Sequence, residues 1–107
     1  MNVNESDWKL LKKLLPLWQE NYIEKVIEEY KNILNKDDIA SNKFWDLNKK
    51  IKEDKKNPGV LITDLRRSNM DLVIASLISN KVIEFEDLKD FSDELKETLK
   101  LMFGHNL

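Results

Sequence analysis

Apolar side chains recur at steps of three and four residues along most of this chain, which is the spacing of amphipathic helices. The clearest case is residues 16–36, where one side of a helix would carry Trp18, Tyr22, Val26, Tyr30 and Ile33. The other side is charged, and a helix with one apolar stripe is not stable alone in water. We therefore expect the rest of the chain to pack around residues 16–36.

A shorter helical pattern precedes this stretch, over residues 4–15, with Asn4 and Asp7 placed as capping residues. Pro16 follows, and proline has no amide hydrogen to donate to a carbonyl four residues back. It also disfavours helical geometry at the residue before it. The pattern therefore predicts two helices, separated by a kink or a break at Pro16.

A third helix is predicted from residue 41 or 42 to about residue 56. The side predicted to face the core carries Phe44, Leu47, Asn48 and Ile51, with Trp45 beside them. The other face carries the lysines Lys49, Lys50, Lys52, Lys55 and Lys56. Like the other two tryptophans, Trp45 is expected in the core or at an interface.

The segment Asn57-Pro58-Gly59 ends this helix, because the residue before a proline leaves helical geometry and glycine permits positive φ. Residues 60–65 are apolar and partly β-branched, but a lone strand would find no partner elsewhere in the sequence. A helical turn or an irregular linker is therefore expected there.

Ser68 and Asp71 form an S-x-x-D helix start, and residues 69–79 are apolar nearly all round. This helix is therefore expected at the centre of the bundle, facing residues 16–36. Asn80 is expected to close it in the left-handed conformation.

A last helix is predicted to begin after Ser92 and to stop at Gly104, with acidic residues in its first turn. The predicted fold is all-α, a compact bundle of about five helices. With 107 residues, the chain is expected to form a single domain, residues 1–107.

The composition excludes cysteine chemistry. The chain has no cysteine, so disulfides, thiolate metal sites and a cysteine nucleophile are excluded. The single histidine, His105, would need further ligands for a metal or a fixed partner for proton transfer. No cofactor, metal site or catalytic residue is predicted. A polar start and the lack of an apolar run of roughly 20 residues predict a cytoplasmic protein without a membrane partner.

Residues 84–97 contain seven acidic and two basic residues, a local charge of −5. An exposed acidic patch can receive a basic partner or a divalent cation. The alternative is that these carboxylates cap helices and face solvent. The partner-binding candidates of this segment are Glu86, Asp87, Asp90, Asp93, Glu94 and Glu97.

Residues 43–67 contain eight basic and four acidic residues, a local charge of +4. The basic-face candidates are Lys49, Lys52, Lys56, Arg66 and Arg67. The three lysines follow helical steps, so their ammonium groups would line one side of the third helix. One interpretation is a phosphate-binding stripe. The other is a solvated face that pairs with the acidic segment of the same or a neighbouring molecule.

Four charged residues surround the start of the helix 69–79: Asp64, Arg66, Arg67 and Asp71. At least one Arg–Asp pair with two parallel hydrogen bonds is expected among them. The alternative is an anion site that combines the two arginines with the free amides of residues 69–71.

Four segments together resemble a group of small bacterial proteins of about this length for which no activity is established. They are residues 43–47 (KFWDL), 54–60 (DKKNPGV), 67–70 (RSNM) and 91–97 (FSDELKE). The resemblance extends over most of the chain. It implies a compact, soluble bacterial protein, and it assigns no catalytic or binding residue.

Three function classes remain. The first is a non-enzymatic interaction or regulatory module, such as an adaptor, an inhibitor or an immunity-like protein, with a protein partner or a second copy of itself. The second is a nucleic-acid-binding protein that uses residues 43–67 and the helix pair 69–79 and 86–103. The net charge of −2 and the acidic start of the second helix of this pair count against it. An enzyme is third, because no catalytic motif is visible.

Overall fold

The structure, a computed structural model, describes residues 4–104. They form four α-helices: α1 (Glu5–Asn35), α2 (Ala40–Asp54), α3 (Met70–Ser79) and α4 (Asp93–Phe103). Short 3-10 helices lie at Arg67–Asn69 and Phe85–Leu88, and the described part of the chain has no strand. The all-α class is therefore confirmed, whereas the described residues hold four α-helices and not about five.

A kink or a break was predicted at Pro16. The two predicted N-terminal helices are one continuous helix, so the break is wrong. Pro16 is exposed, and so is Lys12, four residues back. The Lys12 carbonyl, which has no amide donor at the proline, therefore lies on the side that faces water. Leu15 before the proline and Trp18 after it both pack on the core, which holds the backbone helical across Pro16.

The core lies between the first half of α1 and the C-terminal part of the chain. Its buried residues are Trp8, Leu11, Leu15, Met70, Ile74, Leu77, Ile83, Leu88, Phe91, Leu95 and Leu99. α3 is a core helix, as expected, but the α1 residues buried in the same core are Trp8, Leu11 and Leu15, and of the stripe of residues 16–36 only Trp18 packs against it. Residues 8–15 are rich in leucine, whereas that stripe includes tyrosines whose hydroxyl groups need polar partners.

The second half of α1 extends beyond this core and pairs with α2, in a molecule that measures 54 × 26 × 18 Å. Of residues 16–35, Val26 alone is buried, and α2 has no buried residue. Ile27 and Leu34 are exposed. Residues 16–36 are therefore not the centre of the fold, and they form one side of a two-helix arm.

The turn after α2 is fixed against α1 by side-chain hydrogen bonds. The Asn57 side chain donates to the Tyr22 hydroxyl at 3.0 Å, and Gln19 donates to the Pro58 carbonyl at 3.0 Å. Gly59 is buried, and a Cβ atom there would lie 2.5 Å from the Tyr22 ring. The reason for a glycine here is therefore close packing. The sequence suggested a positive φ, which Gly59 does not have. Residues 60–66 after it are irregular, as expected.

The start of α3 differs from the predicted S-x-x-D cap. Asn69 is the N-cap residue of α3 and makes no side-chain bond to that helix. Its side-chain carbonyl accepts a hydrogen bond from the Arg66 amide at 2.8 Å and closes the preceding 3-10 turn. The helix therefore begins one residue later than predicted, without Ser68 as its cap.

The left-handed residue at the end of α3 is Lys81, with φ 60°, and not Asn80, with φ −90°. The Asn80 side chain donates to the Ser76 carbonyl at 2.8 Å, which keeps Asn80 next to the last helical turn. The Lys81 amide donates to Ile78 at 3.0 Å and the Val82 amide to Leu77 at 2.9 Å. This is a Schellman motif, and its left-handed position is one residue beyond the predicted one.

Candidate functional site

The face of α2 that contacts α1 carries a polar cluster. Lys50 Nζ lies 2.8 Å from Glu29 and 3.2 Å from Asp54, and Asp54 accepts a 2.7 Å hydrogen bond from the Tyr30 hydroxyl. The hydrogen bond to Glu29 is the main cause that raises the pKa of Lys50. Burial, followed by the bond to Asp54, raises the pKa of Tyr30 to about 12. Lys50, predicted on the outer lysine face, therefore lies on the inner side.

Polar contacts also fix the N-terminal end of α2. Lys36, just after α1, forms an ion pair with Asp46 and a longer one with Asp38 at 3.6 Å. Asp38 accepts hydrogen bonds from the Ile39 amide at 2.8 Å and from the Asn42 side chain at 2.9 Å. The bond from Asn42 is the main cause that lowers the pKa of Asp38. Contacts near both ends of α2 therefore set its rotation against α1.

That rotation leaves two aromatic side chains in solvent. Trp45 lies nine residues before Asp54, about two and a half helical turns, and so on the opposite side of α2. Trp45 is 63% exposed and Phe44 is 62% exposed. Their rings meet edge to face with centroids 5.0 Å apart. Phe44 was predicted to face the core with Leu47, Asn48 and Ile51, which are half-buried, but Phe44 itself is exposed.

Lysines continue this face toward the end of α2. Lys49 and Lys52 follow Trp45 by four and seven residues on the same side of α2, and Lys55 and Lys56 come just after its last residue, Asp54. All of them are exposed, and none forms an ion pair with a carboxylate among the described residues. The outer α2 face consists of Phe44, Trp45, Lys49, Lys52, Lys55 and Lys56.

The two arginine candidates lie away from this face. Arg66 forms two hydrogen bonds with Asp64, at 2.9 and 3.1 Å, which confirms the expected Arg–Asp pair. Arg67 forms two with Glu5 in the first turn of α1, at 2.9 and 3.1 Å, and lies over the Trp8 ring. The hydrogen bond between them lowers the pKa of Glu5 and raises that of Arg67. Both guanidinium groups therefore already have carboxylate partners.

The six acidic candidates are all exposed, around the start of α4 and on that helix: Glu86, Asp87, Asp90, Asp93, Glu94 and Glu97. Some also stabilise local structure. Asp87 accepts a hydrogen bond from the Glu84 amide at 2.8 Å, and Glu97 pairs with Lys100 at 3.4 Å. Leu101, one turn after Glu97, is 83% exposed. The acidic α4 face consists of Asp90, Asp93, Glu94, Glu97 and Leu101.

An open groove of about 790 Å³ runs along α1 between Glu20 and Lys31, and all the residues that line it belong to α1. Over residues 4–104, no three His, Cys, Asp or Glu side chains are grouped as metal ligands. His105 lies outside the described residues. No described helix combines the length and the apolar character of a membrane-spanning segment.

Comparisons with family models, with curated proteins and with solved structures give no match to this chain. The resemblance carried by residues 43–47, 54–60, 67–70 and 91–97 assigned no site residue, so no part of the site depends on it.

Sequence reasoning identified the lysines of the outer α2 face, but it placed Phe44 toward the core and gave Trp45 no place among them. The helical steps from Trp45 to Lys49, Lys52 and Lys56 were visible in the sequence. The missing information was the rotation of α2, which contacts with the distant residues Glu29 and Tyr30 determine.

Proposed function

We propose that this protein is a non-enzymatic helical interaction module whose outer α2 face binds an acidic protein surface. The observation that supports the proposal is the exposure of Phe44 and Trp45 on a helix that buries no residue of its own. Aromatic side chains are enriched in the buried centre of protein interfaces. The cytoplasmic location predicted from the sequence is part of this proposal.

The charges of the face indicate the kind of partner. Four lysines extend the face from the aromatic pair past the end of α2, and none of them has a carboxylate partner within the described residues. A partner with carboxylates around an apolar patch would pair with the lysines and cover the two rings. Adaptors, inhibitors and immunity-like proteins act by such binding, without chemistry of their own.

Site-specific photo-crosslinking in the cells that make the protein tests this proposal. Benzoylphenylalanine in place of Trp45 should form adducts with a polypeptide. The matched control is the same probe in place of Leu72, which is 61% exposed on α3. Polypeptide adducts from position 45 and not from position 72 support the proposal. Equal adducts from both positions, or none from position 45, contradict it.

A second candidate function is binding of a single-stranded nucleic acid, which the same lysines beside Trp45 favour. Lysines would contact phosphates, and the Trp45 ring would stack on a base. Arg66 and Arg67 are paired with Asp64 and Glu5 and would add nothing unless those pairs opened. This candidate predicts retention on heparin and on single-stranded DNA that falls steeply with salt. No retention at low salt would contradict it.

A further inference from the structure

We propose that the acidic partner of the outer α2 face is the acidic α4 face of a second copy of this chain. The inference rests on the proposed function and identifies its partner. Both faces are exposed on one molecule. Each has a large apolar side chain at one end, Trp45 or Leu101, followed by a row of charges of one sign.

The two faces match in spacing as well as in charge. Lysines follow Trp45 in steps of four, three and four residues: Lys49, Lys52 and Lys56. Carboxylates precede Leu101 by the same steps: Glu97, Glu94 and Asp90. Antiparallel packing of α2 on the α4 of a second copy therefore places Trp45 on Leu101. Lys49 then lies opposite Glu97 and Lys52 opposite Glu94, whereas Lys56 and Asp90 lie just outside the two helices.

The groups in this register are available for the contact. The three lysines, Glu94 and Asp90 form no ion pair among the described residues. Glu97 is paired only with the exposed Lys100, at 3.4 Å, and such a surface pair is easily exchanged. Trp45 and Leu101 are 63% and 83% exposed, so the contact would remove apolar surface from water.

One molecule cannot make this contact with itself. Ser92 at the start of α4 binds Asp7 of α1, whereas Asp54 at the end of α2 binds Tyr30 of α1. These positions on α1 are 23 residues apart, or about 35 Å at 1.5 Å per residue. A second copy can bridge that distance, and two antiparallel copies make the contact twice. The expected species is a dimer with two-fold symmetry.

Charge reversal with sedimentation equilibrium tests the pairing. Wild type should dimerise, and the acidic variant Lys49→Glu/Lys52→Glu should be a monomer, because like charges raise the dissociation constant of the dimer by roughly tenfold or more. The basic variant Glu94→Lys/Glu97→Lys should also be a monomer. An equimolar mixture of the two variants should dimerise again, because both contacts regain opposite charges.

A matched control separates this register from general attraction between opposite charges. Glu20→Lys/Glu24→Lys changes two exposed glutamates of α1 and keeps the wild-type outer α2 and acidic α4 faces. It should pair with the acidic α2 variant more weakly than the basic α4 variant does, because one of the two contacts then joins like charges. Leu101→Ser should weaken the wild-type dimer without changing any charge. Circular dichroism melts establish that each variant is folded.

The pairing is wrong if wild type stays a monomer, if the α1 control pairs as well as the α4 variant, or if Leu101→Ser has no effect. The crosslinks from position 45 distinguish this failure from failure of the proposed function. Adducts with residues 90–101 of a second copy support the self-pairing. Adducts with a different polypeptide overturn the self-pairing and leave the interaction module supported.

Discussion

The carboxylate of Asp7 accepts two hydrogen bonds from Ser92, one from the backbone amide at 2.8 Å and one from the hydroxyl at 2.5 Å. Asp7 is only 3% exposed, and the two residues are 85 positions apart. The Ser92 hydroxyl also accepts a bond from the Leu95 amide at 3.2 Å, which caps α4. One buried carboxylate therefore joins the first turn of α1 to the first turn of α4.

Asp7→Ala should lower the free energy of unfolding by about 1.5–3 kcal/mol, because it removes a charged acceptor and leaves the part-buried Ser92 amide without its partner. Denaturant melts at neutral pH measure the change. Glu53→Ala is the control, since Glu53 is exposed and forms no ion pair among the described residues. Similar stabilities for the two variants would show that the Asp7–Ser92 contact does not hold α1 and α4 together.

Two leucines on α3 differ in burial, so the same substitution at each tests how much burial contributes to stability. Leu77 is fully buried and Leu72 is 61% exposed on the same helix. Leu77→Ala should lower the free energy of unfolding by roughly 2–4 kcal/mol, because it leaves a cavity between α3 and the first half of α1. Leu72→Ala should change it by less than about 0.5 kcal/mol. Equal losses in urea melts would contradict the described orientation of α3.

Lys81 adopts a positive φ that glycine adopts without strain. Lys81→Gly should therefore raise the free energy of unfolding by about 1 kcal/mol. Lys81→Ala is the control, because it removes the same side chain and keeps the strained conformation. A melting temperature that rises equally for both variants would assign the gain to loss of the lysine side chain and not to relief of strain.

The sequence allowed good prediction of features that depend on local periodicity. The all-α class and the cap at Ser92 follow from spacing and from residues close in the chain. The cap at Asn4 was also correct, since its side chain accepts from the Ser6 amide at 2.9 Å and the Asp7 amide at 3.3 Å.

Features that depend on distant pairs could not be predicted in this way. Apolar spacing cannot show that Lys50 of α2 binds Glu29 of α1, yet that contact helps turn Trp45 toward solvent. Asp7 was assigned to a local cap, and its partner is Ser92 near the other end of the chain. The sequence therefore predicted the lysines of the outer α2 face but not the exposed aromatic residues beside them.

Pro16 shows how the core can override local propensity. Proline inside a helix is about 3 kcal/mol less favourable than alanine, yet α1 continues through it. Pro16→Ala should restore an amide donor to the exposed Lys12 carbonyl and raise the free energy of unfolding by about 1–3 kcal/mol. Lys13→Ala, an exposed change in the same helix, is the control for helix propensity. No gain from Pro16→Ala in thermal melts would mean that the backbone there does not form the regular hydrogen bond.

The raised pKa of Tyr30 predicts how the two-helix arm of α1 and α2 responds to alkaline pH. Burial disfavours its phenolate and Asp54 accepts its proton in a hydrogen bond, so its pKa is about 12 in the folded chain. In the unfolded chain a tyrosine pKa is about 10. Between about pH 10 and pH 12, Tyr30 therefore keeps its proton in the folded state and has lost it in the unfolded state. This contribution to stability is fully present below about pH 10 and is lost as pH rises through about 12.

Spectrophotometric titration of Tyr22→Phe isolates Tyr30, because the chain has only these two tyrosines. The remaining absorbance change should have its midpoint near pH 12. In wild type, the free energy of unfolding should fall more steeply between about pH 10 and 12 than in Tyr30→Phe, since that variant has no phenol at the α1–α2 contact to ionise. A midpoint near pH 10 in Tyr22→Phe would mean that Tyr30 is neither buried at the α1–α2 contact nor bound to Asp54 in solution. The rotation of α2 that exposes Trp45 would then lose one of the contacts that fix it against α1.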